Sequence, residues 1–404
     1  FVLAIQLQIV TCSEQSDKAV PGIERRSTMS VQLSRRNCLP IIYVRGTHYD
    51  VGYDIGRTFA SLIQDYVRTY KCLNEIYIPL YLTDKGREVY DAGLEACQKM
   101  YPQYVRELQG TADGADVPFY KLFLMHLDEV LPVAVGEENP NQGQGCSTMT
   151  VNQKTEKLIG HTEDGFKEAL NHVYIVKATI TDSSPPEEFT AFCYPGLLPG
   201  YSMGFNKSFA FSVNILGSKY LAKGCPPRTF VSRALFAADS LDSVTTVLRC
   251  PGGGGIADAM SLNLIFFGSN QDDSKFYNVE VGPSYPSTGE SAVSTVELNQ
   301  GENLFHCNRF LHLKTFELDP SHPLVESSEN RHCRKNQVPD PRTEMELLNL
   351  MGDTANDTVN IFRDRQTEAV WTIAVGVFNI SAKTWSVYTG NPKNTEPLIE
   401  LPLK

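Results

Sequence analysis

A chain of 404 residues that is 42% hydrophobic and 21% charged has enough apolar material for a sizeable core, as one large domain or two ordinary ones, and too much for disorder. Its formal charge of −11, with a pI near 5.3, disfavours nucleic acid and anionic lipid as partners and favours a cationic small molecule. No run approaches the roughly 18 apolar residues that a membrane span requires.

The first ten residues, FVLAIQLQIV, are apolar and read either as the end of a signal sequence, which would imply secretion, or as a translated fragment. Residues 1–38 are expected to form a tail. From Tyr49 to Tyr70, the residues Val51, Ile55, Phe59, Leu62, Ile63, Tyr66 and Val67 recur at three- and four-residue spacing, which predicts a helix with one buried stripe. Gly52 and Gly56 lack the flanking strand and third glycine of a phosphate loop, so they read as a close helix contact. Further helices are expected over roughly 87–109 and 118–130, which makes 39–145 a helical unit. The segment VGEENPNQGQG, residues 135–145, then breaks the pattern.

After Cys146 the period shifts to two. HVYIVKATI, FTAFCY, SFAFSVNI, SLNLIFFG and KFYNVEV predict strands rich in aromatic and β-branched residues, and VWTIAVGVFNI with TWSVYTG predicts a closing hairpin. Helices interrupt this half over roughly 228–249, ending in the flexible PGGGG, and 342–350. The polar, proline-rich stretch 318–341 reads as a surface excursion without chemistry of its own. Helices kept apart from strands argue an α+β fold and against a doubly wound parallel sheet.

Gly145-Cys146 carries the chemical question. A cysteine that follows a flexible linker ending in glycine is what a self-cleaving N-terminal nucleophile requires. Cleavage there leaves an α-amine beside the sulfur, and its ordinary pKa near 7.7–8.0 suits it to take the thiol proton. By spacing alone a buried cysteine opening a strand is the plainer reading of Cys146. The ten cysteines are scattered without a CxxC pair, which resembles a cytosolic set of thiols, and the sequons at Asn206, Asn356 and Asn379 do not fix a compartment. His306, Cys307, His312, His332 and Cys333 lack paired ligand spacing, so no metal is expected. No other cofactor is expected either.

GCSTMTV, GHTEDG, FAFSVN, PRTFVSRALFAADSLDSVTTVL, NLIFFG, FHCNRFLH and VWTIAVGVFNISAKTWSVYTGNP together resemble the acyl-CoA:6-aminopenicillanate acyltransferase family, and RGTHYDVGYDIGR resembles its small subunit. The resemblance implies an N-terminal nucleophile hydrolase with a four-layer αββα sandwich. It also implies a precursor cut into a small subunit, 39–145, and a large one, 146–404, with a dimer of these as a further expectation. Cys146 matches the family's nucleophile and Gly145-Cys146 its self-cleaved bond. Asp164 matches the carboxylate that orients the nucleophile's amine or the substrate. Asn308 matches the asparagine that donates to the oxyanion, although here the motif reads His306-Cys307-Asn308-Arg309 instead of His-Thr-Asn-His. Asn214 matches a strand-end asparagine near the nucleophile, with backbone satisfaction an equal reading. Glu163 and His161 share the Asp164 turn and are candidates for the substrate pocket, a solvated turn residue and a structural histidine being their plainer readings. Where the acyltransferase branch has an arginine, this chain has Glu368-Ala369-Val370. Within the family the likeness runs to the branch that hydrolyses β-alanyl conjugates of biogenic amines, N-β-alanyl-dopamine and carcinine. A different acyl specificity, an acyltransferase and a non-catalytic binding homologue are the alternatives.

Overall fold

The computed structural model describes residues 34–138, 145–269, 273–284, 288–368 and 370–403; the first ten residues and most of the expected tail lie outside them. Ile41, Ile42, Tyr43 and Val44 favour extended chain and form strand β1 (Ile41–Gly46), which the sequence reading missed. Thr47 ends it by capping helix α1 (His48–Thr58): its hydroxyl accepts from Asp50 N, and the Asp50 carboxylate accepts from Thr47 N. The apolar stripe continues into α2 (Ala60–Thr69), but Phe59 leaves helical geometry, so the expected single helix is two. A π-helical turn, Cys72–Tyr77, leads through α3 (Ile78–Tyr81) to α4 (Asp84–Met100) and α5 (Pro102–Ala115). Pro102 has no N–H to continue α4 and suits a first turn, which splits the helix expected over 87–109. The next expected helix also divides, into α6 (Phe119–His126) and α7 (Val130–Val135).

The glycine reading of α1 holds. A methyl at Gly52 or Gly56 would overlap the carbonyls of Glu107 or Thr111 on α5, and one at Gly110 or Gly114 would overlap those of Tyr49 or Tyr53 on α1. The two helices cross backbone to backbone through four missing side chains.

Beyond Gly145 come β2 (Ser147–Asn152), β3 (Lys157–Phe166), β4 (Tyr174–Ile180), β5 (Glu187–Cys193), β6 (Met203–Asn206) and β7 (Phe209–Ile215). Helices α8 (Arg228–Ala234) and α9 (Leu241–Arg249) replace the one helix expected there, because Ser240 starts a new capping box with Ser243. Then follow β8 (Met260–Phe266), β9 (Lys275–Ser284), β10 (Ser291–Leu298), β11 (Asn303–His306), α10 (Pro323–Lys335), α11 (Glu344–Met351), β12 (Val370–Asn379), β13 (Thr384–Tyr388) and β14 (Ile399–Pro402). The expected strands and the β12–β13 hairpin are present. The HTED stretch is strand β3 and not a turn, and α10 stands where a featureless surface loop was expected.

Two sheets result, ordered β1-β4-β5-β6-β7-β8-β9-β10 and β11-β2-β3-β12-β13-β14. Their inner faces meet through aromatic residues: Phe205 of β6 lies edge-on to Trp385 and Phe378 at ring distances of 5.8 and 6.5 Å. Helices cover the outer sides. Phe59 stacks on Tyr174 of β4, and Leu347 of α11 fills the space over Gly160 of β3. This is a mixed α+β structure with two facing sheets, as the segregation of periods predicted.

The parts before and after Gly145 share one core. β1 pairs in parallel with β4, and fully buried Arg233 of α8 binds Glu107 of α5 at 2.7 Å and Glu187 of β5 at 2.8 Å. Removing one member of such a buried network costs about 3–5 kcal/mol, so these contacts alone resist separation of the two parts. Among the described residues no helix is long and apolar enough to cross a membrane.

Candidate active site

The site grows from the register of two strands. β2 and β3 run antiparallel with Ser147 opposite Thr162 and Thr148 opposite His161, so one further step sets Cys146 opposite Glu163. Strand alternation then puts Cys146, Thr148, His161 and Glu163 on one face, and Ser147, Thr162 and Asp164 on the other. The first group faces the eight-stranded sheet, where Thr148 Oγ1 donates to Asn214 Oδ1 of β7 at 2.8 Å.

Cys146 is buried, and its thiol donates to Glu163 Oε2 at 3.6 Å while the sulfur accepts the Asp164 N–H at 3.5 Å. Burial, then the charges of Glu163 and Asp164, push the thiol well above its ordinary range. Glu163 is not a solvated turn residue. Besides the thiol it accepts Tyr194 Oη at 2.7 Å, Ser202 Oγ, and a proton from His161 Nε2 at 3.1 Å. His161 holds its other nitrogen 2.8 Å from Thr148 Oγ1 and so ties Glu163 to β2. Asn214 donates from Nδ2 to the Cys146 carbonyl at 3.0 Å and accepts from Asn263, a clamp on the backbone of the cysteine.

Asp164 turns the other way. β12 sets Thr372 opposite it, and Thr372 Oγ1 donates to Oδ1 at 2.7 Å, next to an irregularity in the ladder between Thr372 and Ala374. Asp164 Oδ2 is buried without a hydrogen-bond partner among the described residues. Burial raises its pKa to about 7, against the pull of Arg363 and Arg331. Arg363 donates its own N–H to Thr372 Oγ1 at 2.8 Å, so a cation does stand close to the start of β12, upstream of Glu368.

Asn308 follows β11, and its backbone N–H donates to Ser328 Oγ of α10 at 3.0 Å. Its Nδ2 donates to the Ile215 carbonyl at 2.9 Å, and its Oδ1 accepts Arg331 Nη2 at 2.8 Å. Arg331 is fully buried. Its Nη1 donates to the carbonyls of Gly145 at 2.9 Å and Cys146 at 2.8 Å and to Ser147 Oγ at 3.0 Å. Every residue singled out from the sequence, Gly145, Cys146, His161, Glu163, Asp164, Asn214 and Asn308, therefore lies in this one cluster.

Arg331, Arg363, Tyr194, Ser202 and Thr372 were missed. A signal for the first existed: Pro323 suits a helix start, and Leu324, Ser328 and Arg331 recur at helical spacing within the stretch dismissed as a loop. His306 is accounted for without metal, as its Nε2 meets Glu280 Oε1 at 3.0 Å and Glu280 also accepts the N–H groups of His312 and Leu313. Cys146, His161 and Glu163 each offer an atom within 4.8 Å of the others, a spacing that could hold a metal ion and that their mutual hydrogen bonds already explain.

Ile215 lines two cavities. A small one of about 30 Å³ lies among Tyr66, Tyr70, Tyr194, Tyr201, Asp128, Glu163 and Asp164, room for a water or an ammonium head. A larger one of about 320 Å³ has Glu129, Glu137, Glu138, Asp258 and Leu216 on its wall.

A family model described as acyl-coenzyme A:6-aminopenicillanic acid acyl-transferase matches residues 151–394, which include Asp164, Asn308, Arg331 and Arg363. Over 383 residues the chain is 42% identical to a β-alanyl-dopamine/carcinine hydrolase of Drosophila melanogaster, covering 92% of this chain and 98% of that protein.

Proposed function

The chain belongs to the acyl-coenzyme A:6-aminopenicillanic acid acyltransferase family, and from that premise we propose a self-splitting cysteine amidohydrolase that cleaves β-alanyl conjugates of biogenic amines. N-β-alanyl-dopamine and carcinine are the substrates that the Drosophila relative's name suggests. The fold read this way is that of an N-terminal nucleophile hydrolase, cut between Gly145 and Cys146. The observation that carries the reading is the buried Cys146 sulfur, set between the Glu163 carboxylate and the Asp164 N–H behind a fixed Gly145 carbonyl.

In the split enzyme the new Cys146 amine takes the thiol proton, and the sulfur adds to the substrate carbonyl. Asp164 Oδ2, without a hydrogen-bond partner among the described residues, then receives the resulting ammonium. Asn308 carries a second Nδ2–H besides the one given to Ile215, available to the oxyanion of the tetrahedral intermediate. The amine product leaves with the proton, and water then releases β-alanine from the thioester. Carboxylates around both cavities suit a cationic substrate: the small one fits the β-alanyl ammonium, and the larger one, within the usual range for ligand pockets, fits the amine moiety. The nine described cysteines are free, which suits a reducing, cytoplasmic setting.

Intact mass under denaturing conditions, followed by assay of amine release from β-alanyl, fatty-acyl and penicillin-type amides, tests this function. Two pieces meeting at Gly145-Cys146 and turnover restricted to β-alanyl amides are expected. A single uncut chain, or preference for another acyl group, overturns the reading.

A further inference from the structure

The amine that serves the split enzyme does not exist before splitting, because Cys146 N is then an amide. The first cut needs other groups, and Arg331 is the cation already on the bond to be broken. Its guanidinium is fully buried, and among the described residues it reaches only neutral oxygens within hydrogen-bond distance: Gly145 O, Cys146 O, Ser147 Oγ, Asn308 Oδ1 and Ser327. Burying a cation without a carboxylate on it is costly, so a fold that keeps one gains something from its position.

Resting on the self-splitting reading above, we propose that Arg331 is the oxyanion donor of the splitting step, a catalytic residue distinct from Asn308, whose role is in substrate hydrolysis. The Cys146 thiol gives its proton to Glu163 Oε2, its observed acceptor, and the sulfur bonds to the Gly145 carbonyl carbon. The carbonyl electrons move to the oxygen held by Arg331 Nη1 at 2.9 Å. The bond from Gly145 C to Cys146 N then breaks, the nitrogen takes the proton back from Glu163, and a thioester joins Gly145 to Cys146 Sγ. Water adds to that thioester, leaving a Gly145 carboxylate and a free thiol. Nothing is oxidised or reduced. Asn308 cannot hold the same oxygen in the unsplit chain as it stands, since its Oδ1 faces Gly145 and its Nδ2 donates to Ile215. The negative charge that Arg331 meets during the step is the oxyanion itself, since Glu163 is then protonated, and the Gly145 carboxylate produced is the anion the guanidinium lacked.

The test follows splitting of freshly purified full-length chains by intact mass, comparing wild type with R331K and R331M, and using the uncut C146A chain as the reference for thermal stability. Loss of one oxyanion donor lowers rates by about 10²–10³, so R331M is expected to split at least about a hundredfold more slowly. R331K keeps the charge without the two-pronged geometry and should fall between. Hydroxylamine, which attacks a thioester, should not speed R331M, because the block precedes the thioester. R331M splitting at the wild-type rate, or hydroxylamine restoring it, overturns the role of Arg331 while leaving self-splitting intact. If R331M does not fold, R331K decides alone, and splitting at the wild-type rate by folded R331K overturns the proposal. A wild-type chain that stays whole overturns both this proposal and the reading it rests on.

Discussion

Arg331 Nη2 donates to Asn308 Oδ1 at 2.8 Å, and this single bond decides which way the Asn308 amide points. With the oxygen held by a cation, the NH₂ end faces the carbonyl of Ile215, a residue that lines both cavities. Asn308→Ala is therefore expected to lower kcat for β-alanyl amide hydrolysis by about 10²–10³ in molecules that have split. Asn308→Asp keeps an oxygen for Arg331 but has no N–H to offer the oxyanion or the Ile215 carbonyl, so it should fall at least as far. Rates of amine release normalised to the split fraction measure this, and a near-normal N308A would take Asn308 out of the reaction.

Cys146→Ala is expected to stop both splitting and hydrolysis, because the same sulfur serves both. The substitution leaves the Gly145 and Cys146 carbonyls, with their bonds to Arg331 and Asn214, in place. The uncut C146A chain should thus melt close to wild type. Any C146A sample that shows two masses meeting at Gly145-Cys146 contradicts the scheme.

Gly145→Ala addresses the same step from the other side of the bond. A methyl there would overlap Asn308 Oδ1 and approach Arg331 Nη2 to 2.9 Å. Either the scissile carbonyl or the Arg331–Asn308 pair has to move, which is expected to slow splitting at least tenfold and to cost about 1–3 kcal/mol as overpacking does elsewhere. Denaturant unfolding of G145A/C146A against C146A gives the second figure without interference from cleavage. Splitting of G145A at the wild-type rate would mean that the linker slides the glycine out of the observed position first.

How much of this site could be read from the sequence depends on the distance over which each residue acts. Cys146, Glu163, Asp164 and Asn308 sit in short segments whose residue types and family likeness are local, and all were found. Glu163 was misjudged as solvated because HTED reads as a turn in isolation; only pairing with β2 on one side and β12 on the other makes it a buried central strand. Arg331 was missed for a different reason. Its helix carries mostly polar residues, and its meaning comes from Gly145, Ser147 and Asn308, all remote in the chain. The same limit applies to β1, whose six residues become a strand only against β4. The periodicity of Tyr49 to Tyr70 located the buried stripe correctly, yet the stops at Phe59 and Pro102 broke helices that apolar spacing alone joins up.

Asp164 makes the stability of the unsplit chain depend on pH. Burial holds its carboxyl at about 7 in the folded chain, with Arg363 and Arg331 pulling the other way, whereas an unfolded aspartate ionises near 3.9. Between about pH 4 and 7 the folded state therefore keeps a proton that the unfolded state has lost. Stability from this group is present in full below about pH 4, falls as pH rises, and levels off above about 7, with a slope of at most about 1.4 kcal/mol per pH unit. Asp258 is also raised by burial, to about 6, and would add a similar slope of its own. Comparing uncut C146A with C146A/D164N removes that background. The stability of C146A relative to C146A/D164N is expected to decline from pH 4.5 to 7 and then stay level. A difference that does not change across this window would mean that Asp164 is already ionised in the unsplit chain, with Arg363 and Arg331 outweighing burial, and Asp164 could then receive the Cys146 ammonium without first losing a proton.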